Sequence, residues 1–139
     1  MEAKITVPVS EIMMKGPVTL KSDDILDLAN DIMHLGRIRH IPILDGGKVV
    51  GVLSQRNLFQ SALVTAMGMR PNERKEHLKA IRVRDVMSAP VITVSPDASV
   101  KEAARIMVEK KIGCLPVMEN DSLVGLVTES DILRYVVNL

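Results

Sequence analysis

Tryptophan is absent from this chain of 139 residues, and Phe59 and Tyr135 are its only aromatic residues. Single-stranded nucleic acids are usually gripped on aromatic platforms, and duplexes through a basic field. Lys plus Arg number 18 against 17 Asp plus Glu, for a formal charge of +1, so neither device is present and nucleic acid is not an expected partner. A single cysteine, Cys114, excludes an internal disulfide framework and fits a reducing, cytoplasmic setting. No apolar run approaches the roughly 18 residues that a spanning helix needs, so no membrane contact is expected. No secretory apolar stretch follows Met1-Glu2-Ala3-Lys4. Low-complexity runs are also missing, and a hydrophobic share of 47% is too high for a disordered chain.

What the chain does have is internal repetition. Shifted by 74 residues, Val9–Leu63 lies over Val83–Val137 without a gap. Val9/Val83, Met13/Met87, Thr19/Thr93, Pro42/Pro116 and Gly51/Gly125 are among the identical pairs. The sequence therefore divides into repeat one (9–63), a connector (64–82) and repeat two (83–137).

Each repeat reads as β-α-β-β-α, giving an α/β (α+β) fold class. An extended piece, Val18–Leu20 or Ile92–Val94, runs into a helix start at Ser22-Asp23-Asp24 or Ser95-Pro96-Asp97. Ile25, Leu28, Ala29, Ile32 and Leu35 keep helical spacing, as do Val100, Ala103, Ala104 and Met107. The strands His40–Leu44 and Cys114–Met118 each contain a proline, which suggests an edge or a strand start. Asp45-Gly46-Gly47-Lys48 and Glu119-Asn120-Asp121-Ser122 are hairpin turns into apolar, buried strands Val49–Leu53 and Leu123–Val127. A second helix starts near Gln55 or Glu129. About 55 residues bury too little surface alone, so the two sheets are expected to cover each other. In the connector, Gly68 and Pro71 interrupt helix, and Met69–Arg84 holds six basic against two acidic residues. A solvated, partly helical linker explains that segment, and a basic docking surface is the rival reading.

Chemistry concentrates where the last strand meets the last helix, at Gly51–Leu58 and Gly125–Ile132. Glycine there admits a ligand or a backbone close to the strand. A hydroxyl at the strand end, Ser54 or Thr128, offers an N-cap oxygen beside free helix amides, a natural anion cradle. Asp131, three residues on, can accept two hydrogen bonds from a ribose diol, whereas Asn57 has one acceptor oxygen. The same residues also spell a plain helix cap. Cys114 has no base partner in the sequence, and His34, His40 and His77 share no metal-ligand spacing. No catalytic or metal-binding residue is assigned, and the chain is not expected to be an enzyme.

The chain resembles a pair of cystathionine β-synthase (CBS) domains, a Bateman module. The resemblance rests on the twofold element order and on the phrases Pro90-Val91-Ile92-Thr93-Val94, Ile112-Gly113-Cys114-Leu115-Pro116-Val117, Pro17-Val18-Thr19 and Arg39-His40-Ile41-Pro42-Ile43, with the Gly-x-x-Thr-x-x-Asp ending. It implies tandem repeats packed sheet to sheet as a pseudo-twofold module, stand-alone here, with no cofactor but a regulatory adenosyl ligand. AMP, ADP or ATP is expected in the clefts between repeats, with S-adenosylmethionine or NAD as the alternative. Asp131 would take the ribose hydroxyls and Thr128 the phosphate, with Ser54 and Asn57 as counterparts. Pro17, Val18 and Thr19, and Val91, Ile92 and Thr93, would flank the adenine. Arg37, Arg39 and His40, or Lys111 in repeat two, would meet phosphate. The resemblance further implies a homodimer that signals to an effector protein. A docking module with vestigial clefts is the rival function.

Overall fold

The computed structural model describes residues 6–68 and 70–139, without the side chains of 64–66, 71, 74, 75, 77 and 78. The opening Met1-Glu2-Ala3-Lys4, Met69 and the side chains of Arg74, Lys75 and His77 thus lie outside the described residues. A 3₁₀ turn at Val9–Glu11 leads to strand β1 (Met14–Lys15), then β2 (Leu20–Lys21), helix α1 (Leu26–Gly36), β3 (His40–Asp45), β4 (Lys48–Ser54) and α2 (Gln55–Ala66). Helix α3 (Pro71–Ala80) follows, then a second 3₁₀ turn (Val83–Asp85), α4 (Val100–Lys110), β5 (Cys114–Glu119), β6 (Ser122–Thr128) and α5 (Glu129–Val137).

The hairpins show why the repeats share a register. Gly46 and Gly47 both have positive φ, and Asn120 and Asp121 reach φ 51° and 66° in their place. Two successive left-handed residues match the twist of a tight hairpin, and Gly, Asn and Asp adopt them most readily. Each hairpin also slips by one residue at the same point, between Ile43 and Leu44 and between Val117 and Met118. An irregularity copied along with the pattern is a strong mark of duplication.

The chain folds into two compact units whose boundaries cut across the repeats: Val18–Val91, and Met1–Pro17 with Ile92–Leu139. In the first unit the sheet order is β2-β3-β4, with β2 parallel to β3 and β4 antiparallel. Its core is Leu20, Leu26, Ala29, Met33, Ile41, Ile43, Leu53 and Val83. In the second unit the order is β1-β6-β5, and Val9 joins the core of Val94, Ala103, Met107, Leu115, Val117 and Val127. Thus the leading segment of each repeat completes the unit built on the other repeat. Helix α3 packs on α1 and α2, so that part of the connector belongs to the first unit.

Several local expectations change. Helix α1 begins at Leu26, not at Ser22–Asp24, and its N-cap Ile25 supplies no side-chain bond. The Leu26 amide donates to Ile81 O (2.9 Å), and in α4 the Val100 amide donates to Val7 O (2.8 Å). Long-range backbone acceptors thus meet a need that the local Ser/Asp cluster was expected to meet. Ser99 rather than Ser95 caps α4, accepting from Glu102 N at 3.0 Å. The apolar stripe of α1 is wider than its core face: Leu26, Ala29 and Met33 are buried, whereas Leu28 and Leu35 are exposed. Strand β4 is only partly buried, with Val49, Val50 and Val52 half-covered.

Pro42 is third in β3, the central strand of its sheet, whereas Pro116 is third in β5, which ends the order β1-β6-β5 and so stands at an edge, as expected; both are fully buried. Pro42 faces Val52, whose own N–H and C=O point away to Ser88. The Pro42 nitrogen therefore faces β2, where pairing begins only at Ile43. No donor is demanded there, so the ring costs no ladder bond.

Candidate functional site

Each unit carries one strand-to-helix junction, and the two are built alike. In the second unit Thr128 ends β6 and caps α5. Thr128 N donates to Asp131 Oδ2 at 2.8 Å, and Thr128 Oγ1 donates to the same oxygen at 3.0 Å. Asp131 N returns a long bond to Thr128 Oγ1 at 3.4 Å. The capping expectation is thus realised in full. The Asp131 side chain is 13% exposed, and its other oxygen, Oδ1, meets only Arg134 Nη1 at 3.4 Å, an exposed cation, among the described contacts.

In the first unit Ser54 N and Ser54 Oγ both donate to Asn57 Oδ1 at 2.8 Å, and Asn57 N donates to Ser54 Oγ at 3.1 Å. His40 lies opposite Ser54 across the ladder, as Cys114 lies opposite Thr128. Gln55 N donates to Arg39 O at 2.8 Å, and Glu129 N to Gly113 O at 3.0 Å. Three of the four amides at each helix start are therefore taken within the unit. An anion arriving there finds fewer free donors than the sequence pattern suggests.

The two junction glycines answer a different need from ligand approach. A Cβ on Gly51 would sit 2.7 Å from Ser88 O and 2.8 Å from Met87 Sδ. One on Gly125 would collide with Met13 Sδ and lie 2.9 Å from Met14 O. It is the backbone of the incoming leading segment that needs the space. Met87–Ser88 thus lies beside Asn57, and Met13–Met14 beside the strand that ends at Thr128.

The remaining candidates are spread more widely. Arg37 and Lys111 end their helices at φ 53° and 56°, both exposed. A left-handed basic residue, where glycine is the usual choice, recurs in both repeats. Arg39 is exposed and His40 half-buried. The expected flanking strands divide between units: Val18, Thr19 and Val91 belong to the first, Pro17, Ile92 and Thr93 to the second. Burial and the Glu129 charge push the Cys114 thiol up to about 12, as suits an inert core residue. Among the described residues no group of three or more His, Cys, Asp or Glu could hold a metal ion, and no helix is long and apolar enough to cross a membrane. Ser88, whose hydroxyl accepts from Asn57 Nδ2 at 3.3 Å, went unnoticed in the sequence. Position 88 aligns with Met14, so repeat comparison gives no shared polar signal there.

Two α/β units built alike, each completed by the other repeat's leader, make a duplicated α/β fold. The CBS domain model matches residues 9–63 and 83–138, and the chain belongs to that family. The uncharacterised protein MJ1404 of Methanocaldococcus jannaschii is 32% identical over 136 residues, which is 94% of this chain but 32% of MJ1404. A CBS domain-containing protein of Dictyostelium discoideum is 28% identical over 96% of this chain and 93% of its own. Among solved structures, the CBS domain pair of protein MJ0100, in complex with 5′-methylthioadenosine and S-adenosyl-L-methionine, has a TM-score of 0.79 and 28% identity, covering 96% of this chain and 98% of that one.

Proposed function

We propose that this CBS pair is a cytoplasmic sensor of an adenine nucleotide (AMP, ADP or ATP), with Asp131 holding the ribose. The observation that carries this reading is the division of labour between the two oxygens of Asp131. Its Oδ2 is fixed by Thr128, while Oδ1 has, among the described contacts, only the exposed Arg134 at 3.4 Å. A preorganised carboxylate with one oxygen to offer accepts a diol hydrogen without first being ordered. Thr128 is the positioning residue, because its single O–H is already given to Asp131. Lys111, exposed two residues before the Gly113 carbonyl that accepts Glu129 N, is the basic residue we assign to a phosphate. Calorimetry with AMP, ADP and ATP against the parent and Asp131→Ala tests the assignment. Binding lost in the variant supports it, and unchanged binding ends it.

A second reading has specific support: a phosphate-free adenosyl ligand such as S-adenosylmethionine or 5′-methylthioadenosine. The occupied helix amides weaken the case for phosphate, and MJ0100 carries both compounds at 28% identity. The same titration with these two ligands separates the readings. No binding by any of the five compounds would favour a docking module.

Output then passes through a second copy and an effector protein. Phe59 and Leu63 on α2, and Leu133 and Val137 at the equivalent positions on α5, are 52–81% exposed. Apolar side chains presented in this way suit a self-complementary contact. Sedimentation should give a dimer for the parent and a monomer for Phe59→Asp with Leu133→Asp.

A further inference from the structure

The first unit makes a side-chain contact that the second does not reproduce. Asn57 Nδ2 donates to Ser88 Oγ at 3.3 Å, while Asn57 Oδ1 accepts both Ser54 N and Ser54 Oγ at 2.8 Å. Both lone pairs of the amide oxygen are thereby engaged, and the amide nitrogen is tied as well. Ser88 itself is anchored: its N–H donates to Val52 O at 2.9 Å and its O accepts Val52 N at 3.1 Å. Its carbonyl fills the space above Gly51. The hydroxyl therefore starts from a fixed backbone position.

At the 74-residue offset the corresponding pair is Asp131 and Met14. Met14 is 47% exposed and its thioether has no proton to give. Asp131 keeps the cap bonds through one oxygen and leaves the other to Arg134 alone among the described contacts. One position keeps an acceptor oxygen whose described partner is an exposed cation; the other is closed on itself.

We infer that Ser88 is a latch that closes the Asn57 position to vicinal diols, so that the chain binds one adenosyl ligand, at Asp131. The inference rests on the ribose role proposed for Asp131. A diol brings two O–H donors, and Asn57 offers no acceptor with a free lone pair. Turning its oxygen outward would break three hydrogen bonds at once. Replacing Asn57 by aspartate does not open the position by itself, because the Ser88 hydroxyl then donates to the freed carboxylate oxygen. Opening requires both changes.

Isothermal titration with AMP and with 5′-methylthioadenosine, on the parent, N57D and N57D/S88M, reads this as stoichiometry. One site per chain is expected for the parent and for N57D, and two for N57D/S88M. N57D/S88A serves if methionine disturbs folding, judged by circular dichroism. Two sites in the parent or in N57D alone, or one site in both folded double variants, overturns the latch while leaving the Asp131 reading intact. No binding by the parent overturns both. A readout free of ligand accompanies it: in S88A the Asn57 side-chain amide protons exchange faster with solvent, and unchanged exchange counts against the latch.

Discussion

At Gly125 and Gly51 a single methyl group would meet backbone rather than open space. The Gly125→Ala variant must displace the Met13–Met14 segment, because a Cβ there would lie 2.9 Å from Met14 O. Overpacking of this kind costs about 1–3 kcal/mol, measurable by urea unfolding. Gly68→Ala, with nothing within 4 Å of the added atom, should stay within about 0.5 kcal/mol of the parent. Cys114 gives a second residue-scale test. Its thiol is raised to about 12, first by burial and then by Glu129, so the folded state holds the proton that the unfolded chain releases near 9. The stability this proton represents is complete below pH 9 and is lost as pH rises toward 12. The unfolding free energy of the parent should therefore fall more steeply over that range than that of Cys114→Ala. At pH 8 the native thiol should resist an aromatic disulfide reagent that reacts readily in urea.

At the scale of elements, the cap at Thr128 joins the candidate site to the helix that carries it. Thr128→Ala should lower stability by about 0.5–2 kcal/mol, and Thr128→Ser should restore most of it in the same unfolding assay. The starts of α2 and α5, at Gln55 and Glu129, were legible in the sequence because Ser54/Asn57 and Thr128/Asp131 write the cap within four residues. The start of α1 was not, since its N-cap Ile25 has no side-chain bond and the Leu26 amide is satisfied by Ile81 O, far away in sequence; at α4 the local cap is Ser99, passed over for the Ser95-Pro96-Asp97 cluster. Pro42 misled for a similar reason, while Pro116 does stand in an edge strand. Whether Pro42 costs a hydrogen bond depends on where the neighbouring strand begins, which no local pattern records. Ser88 was hidden because its role comes from the strand beside it, not from its own neighbours.

Across the molecule, the duplication and the element order were legible, although the first strand expected in repeat two, Ile92–Val94, is reduced to a single bridge from Val94 to Val117. The structure adds how the halves are completed. Val9 and Val83, both fully buried, each anchor a leading segment in the core of the unit formed by the other repeat. Burying such a side chain contributes about 1.5–3 kcal/mol. Deleting residues 1–17 should therefore strip amide protection from 92–139 while 18–91 keeps its own, as hydrogen exchange would show. The arrangement also bears on ancestry. A lone copy of this repeat would hold an unfilled seam and a leader with nowhere to dock. Two lone copies would satisfy each other only by lending leaders across the gap between polypeptides. The tandem chain reads as such an obligate pair made permanent, with the loan now internal and the partner always at hand.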